Sequence, residues 1–256
     1  MSSGREVTAL DTFMTKKLLK FISRAKQAAR KKGILYSIKL AIKTSFIFAY
    51  YNIFKHGKNF TFRGRNYRYF YHPYGVTWKN DRAVEIPIVN VIVNEHKGKK
   101  ILEVGNVLSH YYDINHSVID KYEKDEYEGS KVINQDIVEY NPGDKYDLIV
   151  SISTLEHIGW DEEIKDPMKT LHALNNMRRM LKENGKVVVT FPHAYNPYLD
   201  KLLKEGKIKF DEMYCLKKTA RREWKEASWE EVKNISYNHP YSNTNALIIG
   251  IIKNSN

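Results

Sequence analysis

Three acidic residues and two histidines fall where apolar runs stop, and those are the places where a sheet does its chemistry. Residues 99–110 read KKILEVGNVLSH: Ile101 to Val104 form a short apolar run, Gly105 closes it, and Glu103 lies inside it. A run of this kind is a buried parallel strand ending at a ligand-facing turn. Asp120 follows Glu103 by 17 residues, close to the spacing at which an acid accepts both hydroxyls of a ribose. Asp136 is followed by Ile137, an acid and an apolar side chain suited to an adenine amino group and its ring. His157 and His193 each come just after a strand, and a neutral imidazole near pH 7 is a fitting general base. The plainer alternatives are a strand with one edge-facing acid and histidines hydrogen-bonded in a cleft wall.

The elements that must position these groups come at regular intervals. Ser117–Ile119, Lys131–Ile133, Tyr146–Ser151 (YDLIVS), Lys186–Phe191 (KVVVTF) and Ala246–Ile252 (ALIIGII) read as further strands. Between the last three, Pro167–Leu181 reads as a helix with Leu171, Leu174, Met177 and Leu181 on one face, closed by Asn184–Gly185 in left-handed geometry. Ahead of the first strand, Asn80 is the expected cap of a helix with Asp81 in its first turn. Ala83, Val84, Ile86, Val89, Ile92 and Val93 form its buried face, Pro87 lies within it and Lys97–Gly98 ends it. That helix makes Thr77, Trp78 and Arg82 further site candidates.

The chain of 256 residues is long enough for one full α/β core plus an extension. Its single cysteine, Cys215, permits no intramolecular disulfide, fits a reducing cytoplasmic compartment and reads as an apolar filler. The net charge of +12 is uneven: residues 1–82 carry 18 Lys+Arg against 3 Asp+Glu, and the remaining 24 against 27 leave residues 83–256 at −3. Any acidic partner surface is therefore met by the N-terminal third.

No secretory signal is legible at the start. Residues 16–54 are helical in pattern, with Lys20, Arg24, Lys31, Lys39 and Lys43 close to one stripe and Leu18, Ile22, Ala25, Ala29, Ile34, Ile38, Ile42 and Phe46 largely away from it. Gly33 divides them into two helices, and the longest uncharged run, Thr44–Phe54, is too short to span a bilayer. Two readings stay open: a helix in the interface of an anionic membrane, with Phe46, Phe48 and Tyr50 in the acyl boundary, or a helical cap on the core. Nucleic-acid binding ranks below both, because the segment is more apolar than phosphate contact requires. Phe60–Arg63 and Asn66–Tyr71 read as a hairpin turning at Gly64–Arg65, its aromatics either a platform for a sugar or base or a face packed on the core.

The series EVGNVLS, VIDKYE, NQDI, YDLIVSISTLEHIG, LKENGKVVVTFP and NALIIGII resembles the class I S-adenosylmethionine-dependent methyltransferases over residues 83–253. The resemblance implies a doubly wound, Rossmann-like α/β sheet of seven strands with an antiparallel last hairpin. The organisation is then basic helices plus hairpin over 1–75 and a methyltransferase domain over 76–256. It implies S-adenosylmethionine as cofactor, with Glu103, Gly105 and Asn106 facing its methionine part, Asp120 its ribose and Asp136–Ile137 its adenine. The stretch from Ser151 through Ser153 to His157 lines the cleft below the sulfonium. One departure is visible: Val107 and Ser109 stand where the family has further glycines, so the backbone approaches the cofactor less freely there.

Resemblance also bears on the acceptor. Family members with a metal carry Glu-x-x-Glu-His here, whereas Ser153-Thr154-Leu155-Glu156-His157 lacks one carboxylate, so no metal is expected. The Asn/Asp-Pro-Pro-Tyr turn of nucleic-acid amino methylases is replaced by Ser-Thr-Leu-Glu, which disfavours nucleic acid. Glu156, Tyr195, Asn196 and Tyr198, with Trp224, Trp229 and the hairpin, offer polar edges and flat surfaces that suit a sugar. Together with the basic helices this resembles methyltransferases of surface glycans or lipid-carried glycans, at the inner membrane face, with His157 or His193 as base. The alternatives are a methylase of a quinone or other lipid and a non-catalytic cofactor-binding partner subunit.

Overall fold

The computed structural model describes residues 34–54, 58–123 and 132–254. The chain divides into two compact units, 1–56 and 57–256, so the aromatic hairpin falls in the same unit as the sheet and not with the basic helices, as a boundary at residue 75 would have it. In the first unit helix α1 runs Ile34–Phe54; residues 16–33, and with them the expected break at Gly33, lie outside the described residues.

The second unit is built on an eight-stranded sheet. Its strands are β3 (Ile101–Val104), β4 (Ser117–Ile119), β5 (Val132–Ile133), β6 (Tyr146–Ile152), β7 (Leu181–Pro192), β8 (Glu212–Ala220), β9 (Glu223–Ala227) and β10 (Ala246–Lys253), in the order β5-β4-β3-β6-β7-β10-β8-β9. The strands from β5 to β7 are parallel, and β10 is antiparallel to both β7 and β8. This is the expected mixed sheet with an antiparallel end, enlarged by β9, which pairs antiparallel with β8 at the edge.

Successive side chains alternate between two cores, as a pleated strand buried on both faces requires. Leu102, Ile149, Val187, Val189 and Ile248 face one core with helix α3 (Lys169–Arg179) and helix α4 (Pro197–Lys204). Ile101, Leu148, Val150, Val188, Leu247 and Ile249 face the other, with helix α2 (Arg82–Glu95) and the hairpin of β1 (Asn59–Phe62) and β2 (Arg65–Arg68).

Winding is incomplete on the side of the first strands. The crossover from β3 to β4 is a short 3-10 turn, Leu108–His110, with irregular chain, and residues 134–145 hold no helix either. Two local expectations also shift. The hairpin turns at Arg63–Gly64, one residue early, because both take positive φ and so form the two-residue turn whose twist matches the strands. Asn184 does take left-handed geometry, but within β7 and five residues past the end of α3.

The hairpin's aromatics are spent on the core. Phe60, Phe62 and Tyr69 are buried, Phe62 meets Tyr214 edge-on at 5.6 Å, and the Tyr69 hydroxyl accepts the Trp224 backbone N–H at 2.9 Å. Trp224 is buried as well, so neither it nor the hairpin forms a sugar platform.

Candidate active site

At the C-terminal ends of β3 and β4 a cavity of about 540 Å³ opens, lined among others by Gly105, Asp120, Asp136, Ile137, Thr154 and His157. That volume suits a cofactor-sized ligand. Gly105 makes the close approach: its φ is +84°, and a Cβ there would lie 2.0 Å from Thr154 Oγ1. Any side chain at this position would close the wall.

Glu103 shapes this turn from behind and does not line the cavity. It is fully buried; Oε1 accepts the backbone N–H groups of Val107 (2.8 Å) and Leu108 (2.7 Å), and His116 Nε2 lies 2.8 Å from Oε2. The amides that a glycine-rich turn would present to a ligand are thus turned inward to a carboxylate, which is why Val107 and Ser109 are tolerated in place of glycines. Asn106 lies in the same turn, its backbone N–H donating to Asp120 Oδ2 at 3.0 Å, and is not among the lining residues.

Asp120 lines the cavity with its carboxylate fixed: Oδ1 accepts the N–H groups of Tyr122 (2.9 Å) and Glu123 (2.7 Å). Asp136 is bound more tightly than an adenine partner need be. Its Oδ2 pairs with Lys121 (2.9 Å) and Lys169 (2.7 Å), and both lysines also pair with Glu162. Burial would raise both carboxyls, but these lysine hydrogen bonds outweigh it and hold them below the usual range. For Lys121, burial is likewise outweighed by Glu162 and Asp136, which raise its pKa.

On the far wall His157 is half-exposed, with Nδ1 2.5 Å from Asp161 Oδ2, and Tyr195 donates its hydroxyl to the same oxygen at 2.7 Å. Burial would raise the Asp161 carboxyl, yet these two hydrogen bonds hold it low, while burial and Asp161 together push Tyr195 up. Its Nε2 lies 3.6 Å from Glu156 Oε1; in the tautomer that donates Nδ1–H to Asp161, Nε2 carries the lone pair. Tyr195 meets His157 edge-on at 5.1 Å and Tyr237 at 5.2 Å, and Tyr198 meets Trp160 at 5.3 Å, forming an aromatic wall beside the imidazole.

Behind this wall lies a buried cluster of acids. Ser153 Oγ donates to Glu85 Oε2 (2.8 Å) and faces Asp81 Oδ2 (3.3 Å); Thr190 also donates to Glu85 (2.8 Å), and Arg82 Nη1 lies 3.0 Å from Glu85 Oε1. Asp81 sits at the helix N-cap without capping it, because its carboxylate is drawn into this cluster, and Asn80 accepts the Arg82 N–H instead (3.2 Å). Burial pushes the Glu85 carboxyl up to about 7, against the pull of Arg82. Glu156 is buried, its Oε2 has no partner among the described residues, and burial raises it well above the ordinary carboxylate range.

Several expected site residues take other roles. His193 is buried away from the cavity lining, its Nε2 bonding the Lys233 carbonyl (3.0 Å) and its Nδ1 lying 2.8 Å from Asp200 without hydrogen-bond geometry. Asn196 caps α4 by accepting the N–H groups of Tyr198 (2.9 Å) and Leu199 (3.2 Å). Ser151 is fully buried within β6, Trp229 packs edge-on against His193, and Thr77 and Trp78 are buried. The residues that sequence reasoning missed are Lys121, Asp161 and Glu162, while Thr154 lies in the stretch expected to line the cleft. Only Asp161 left a local signal, four residues after His157.

No family model matches the chain, and no curated protein matches it. Among solved structures, the chain is similar to the N-methyltransferase NodS from Bradyrhizobium japonicum WM9 in complex with S-adenosyl-L-homocysteine: 12% identity over 70% of this chain and 95% of that one, TM-score 0.41. It is similar also to magnesium protoporphyrin IX methyltransferase (ChlM) from Synechocystis with bound SAM: 10% identity, 81% and 96% covered, TM-score 0.40. A third is an S-adenosylmethionine-dependent methyltransferase from Clostridium acetobutylicum: 12% identity, 84% and 100% covered, TM-score 0.37. The mixed α/β architecture itself rests on this chain's own strand order and register.

Proposed function

We propose that this protein is a methyltransferase that binds S-adenosylmethionine in the cavity at the ends of β3 and β4 and methylates a sugar hydroxyl, in a glycan or a lipid-linked glycan precursor. The observation that carries the reading is the convergence of Gly105, Asp120, Ile137, Thr154 and His157 on one cavity of fitting size. Gly105 leaves the backbone bare where a cofactor would lie closest, Asp120 presents a fixed carboxylate, and Ile137 an apolar surface for a flat ring. When bound, the cofactor supplies an activated methyl on a sulfonium.

The chain's own residues have two tasks. One is to align the acceptor, a proximity effect, for which Tyr195, Tyr198, Tyr237 and Trp160 offer flat faces beside polar edges. The other is to take a proton from a hydroxyl: Asp161 holds Nδ1–H of His157, so Nε2 receives the proton and the resulting imidazolium is stabilised by the Asp161 carboxylate.

Thermal unfolding in the presence of S-adenosylhomocysteine tests the cofactor half, with NAD as control; stabilisation by the first alone is expected, and equal shifts or none would refute it. Incubation with methyl-labelled cofactor and separate glycan and lipid extracts tests the acceptor half. Label in a glycan released from its lipid supports the proposal. Label confined to a lipid or quinone head group would replace it, and cofactor binding with no transfer would favour a non-catalytic subunit.

A further inference from the structure

Helix α1, taken by itself, carries an exposed apolar stripe that the enzymatic reading leaves unused. Leu35 is 85% exposed, Ile42 66%, Phe46 76% and Ile53 70%. At 100° per residue, steps of seven, four and seven place all four within about 20° of one line along the helix. Lys39 and Lys43 are exposed too, and the same geometry puts them on one flank of this stripe, next to Tyr50. This corrects the separation expected from sequence, in which basic and apolar residues fell on different stripes; Phe48 is half-buried and off the stripe.

An apolar line edged by lysines has a natural counterpart. Lysine stems are apolar and their ammonium groups reach outward, so a helix lying flat sinks its apolar line into the acyl boundary while the lysines meet phosphates. Residues 1–56 hold 12 Lys+Arg against 2 Asp+Glu, a charge that complements an anionic leaflet. Among the described residues no helix is long and apolar enough to cross a membrane, which leaves a helix lying in the interface plane as the mode of contact.

We propose that α1 docks in the plane of an anionic phospholipid bilayer through Leu35, Ile42, Phe46 and Ile53, with Lys39 and Lys43 at the headgroups. The proposal stands apart from what the sheet unit catalyses. Its test is sedimentation of the full chain with vesicles of phosphatidylcholine and phosphatidylglycerol, against phosphatidylcholine alone. Binding to the mixed vesicles at low salt is expected, with much less on the neutral ones.

Ile42→Ala, Phe46→Ala and Ile53→Ala together leave every charge in place and keep good helix formers; they should weaken binding at least about tenfold. Lys39→Gln and Lys43→Gln should each weaken it roughly fivefold on anionic vesicles only. Unchanged circular dichroism and an unchanged thermal shift with S-adenosylhomocysteine exclude misfolding as the cause. Parent protein left in the supernatant, or a triple variant that binds like the parent, would overturn the proposal. So would self-association without lipid that the triple variant abolishes, since the stripe would then belong to a second copy of the chain.

Discussion

The carboxylates around the cavity fall into two populations. On the side of β3 to β5, Glu103 has two backbone N–H groups and His116, Asp120 has three backbone N–H groups, and Asp136 and Glu162 share Lys121 and Lys169. On the side of α2 and the loop after β6, Asp81, Glu85 and Glu156 gather around Arg82, and one Glu156 oxygen has no partner among the described residues. Lysine hydrogen bonds hold Asp136 and Glu162 below the usual carboxylate range. Burial instead lifts Glu85 and Glu156 above it. The first population fixes the shape of the cavity wall, and the second keeps Glu85 poised to change charge near neutral pH.

Gly105→Ala should break the receptacle most severely, since the new Cβ meets Thr154 Oγ1 and the positive φ is strained at once. The thermal shift produced by S-adenosylhomocysteine should vanish. His157→Ala should reduce turnover by about a hundredfold to ten-thousandfold, the usual share of a general base, with cofactor binding intact by calorimetry. His193→Ala provides the contrast, lowering the melting temperature while turnover per folded molecule stays close to that of the parent. A result in which the two histidines exchange these phenotypes would invert the comparison.

The buried acid cluster is read by pH. Glu85 titrates near 7 in the folded chain against an ordinary value of 4.5, so the folded state binds the proton more tightly than the unfolded one. Its stabilising contribution is complete below about pH 4.5 and is lost as pH rises through about 7, a span on the order of 3 kcal/mol. Chemical denaturation across that range should show the decline, and Glu85→Gln should flatten it. The smallest effect is expected at Lys121, whose ammonium reaches across the cavity wall to Asp136 and Glu162. Lys121→Met should change the affinity for S-adenosylhomocysteine only a few-fold in calorimetry; a loss as large as that of Gly105→Ala would make the lysine a direct ligand.

Much of the frame is legible in the sequence because it rests on local pattern. Ile101–Val104, Ser117–Ile119 and Ala246–Lys253 are apolar runs bounded by turns or polar residues, and they form the strands that pattern implies. Asp120, Asp136, Ile137 and His157 are likewise brought to the cavity from strand ends. What stayed hidden depends on partners distant in the chain. Nothing around His193 shows that it will be buried with its Nε2 on the Lys233 carbonyl, and nothing near Glu103 shows that it will turn back on its own loop. Lys121 and Glu162, 41 residues apart, meet only after the sheet has assembled. The aromatic hairpin has two readings, with packing on the core favoured over a sugar or base platform, and the burial of Phe60 and Phe62 agrees with packing.

Strand β9 and the hairpin also bear on how the chain is made. Lys58 pairs with Glu223 and the Arg63 N–H donates to Glu226, so the first described residues of the sheet unit fasten onto a strand more than 160 positions downstream. On a ribosome the hairpin emerges long before its seat exists, and closing so wide a loop is a slow event. The outer rim of the nascent sheet therefore stays available for strand addition until β9 has been made and seated. Removing residues 58–69 would leave that rim permanently open, and the signature would be insoluble material during expression rather than a lost cofactor site.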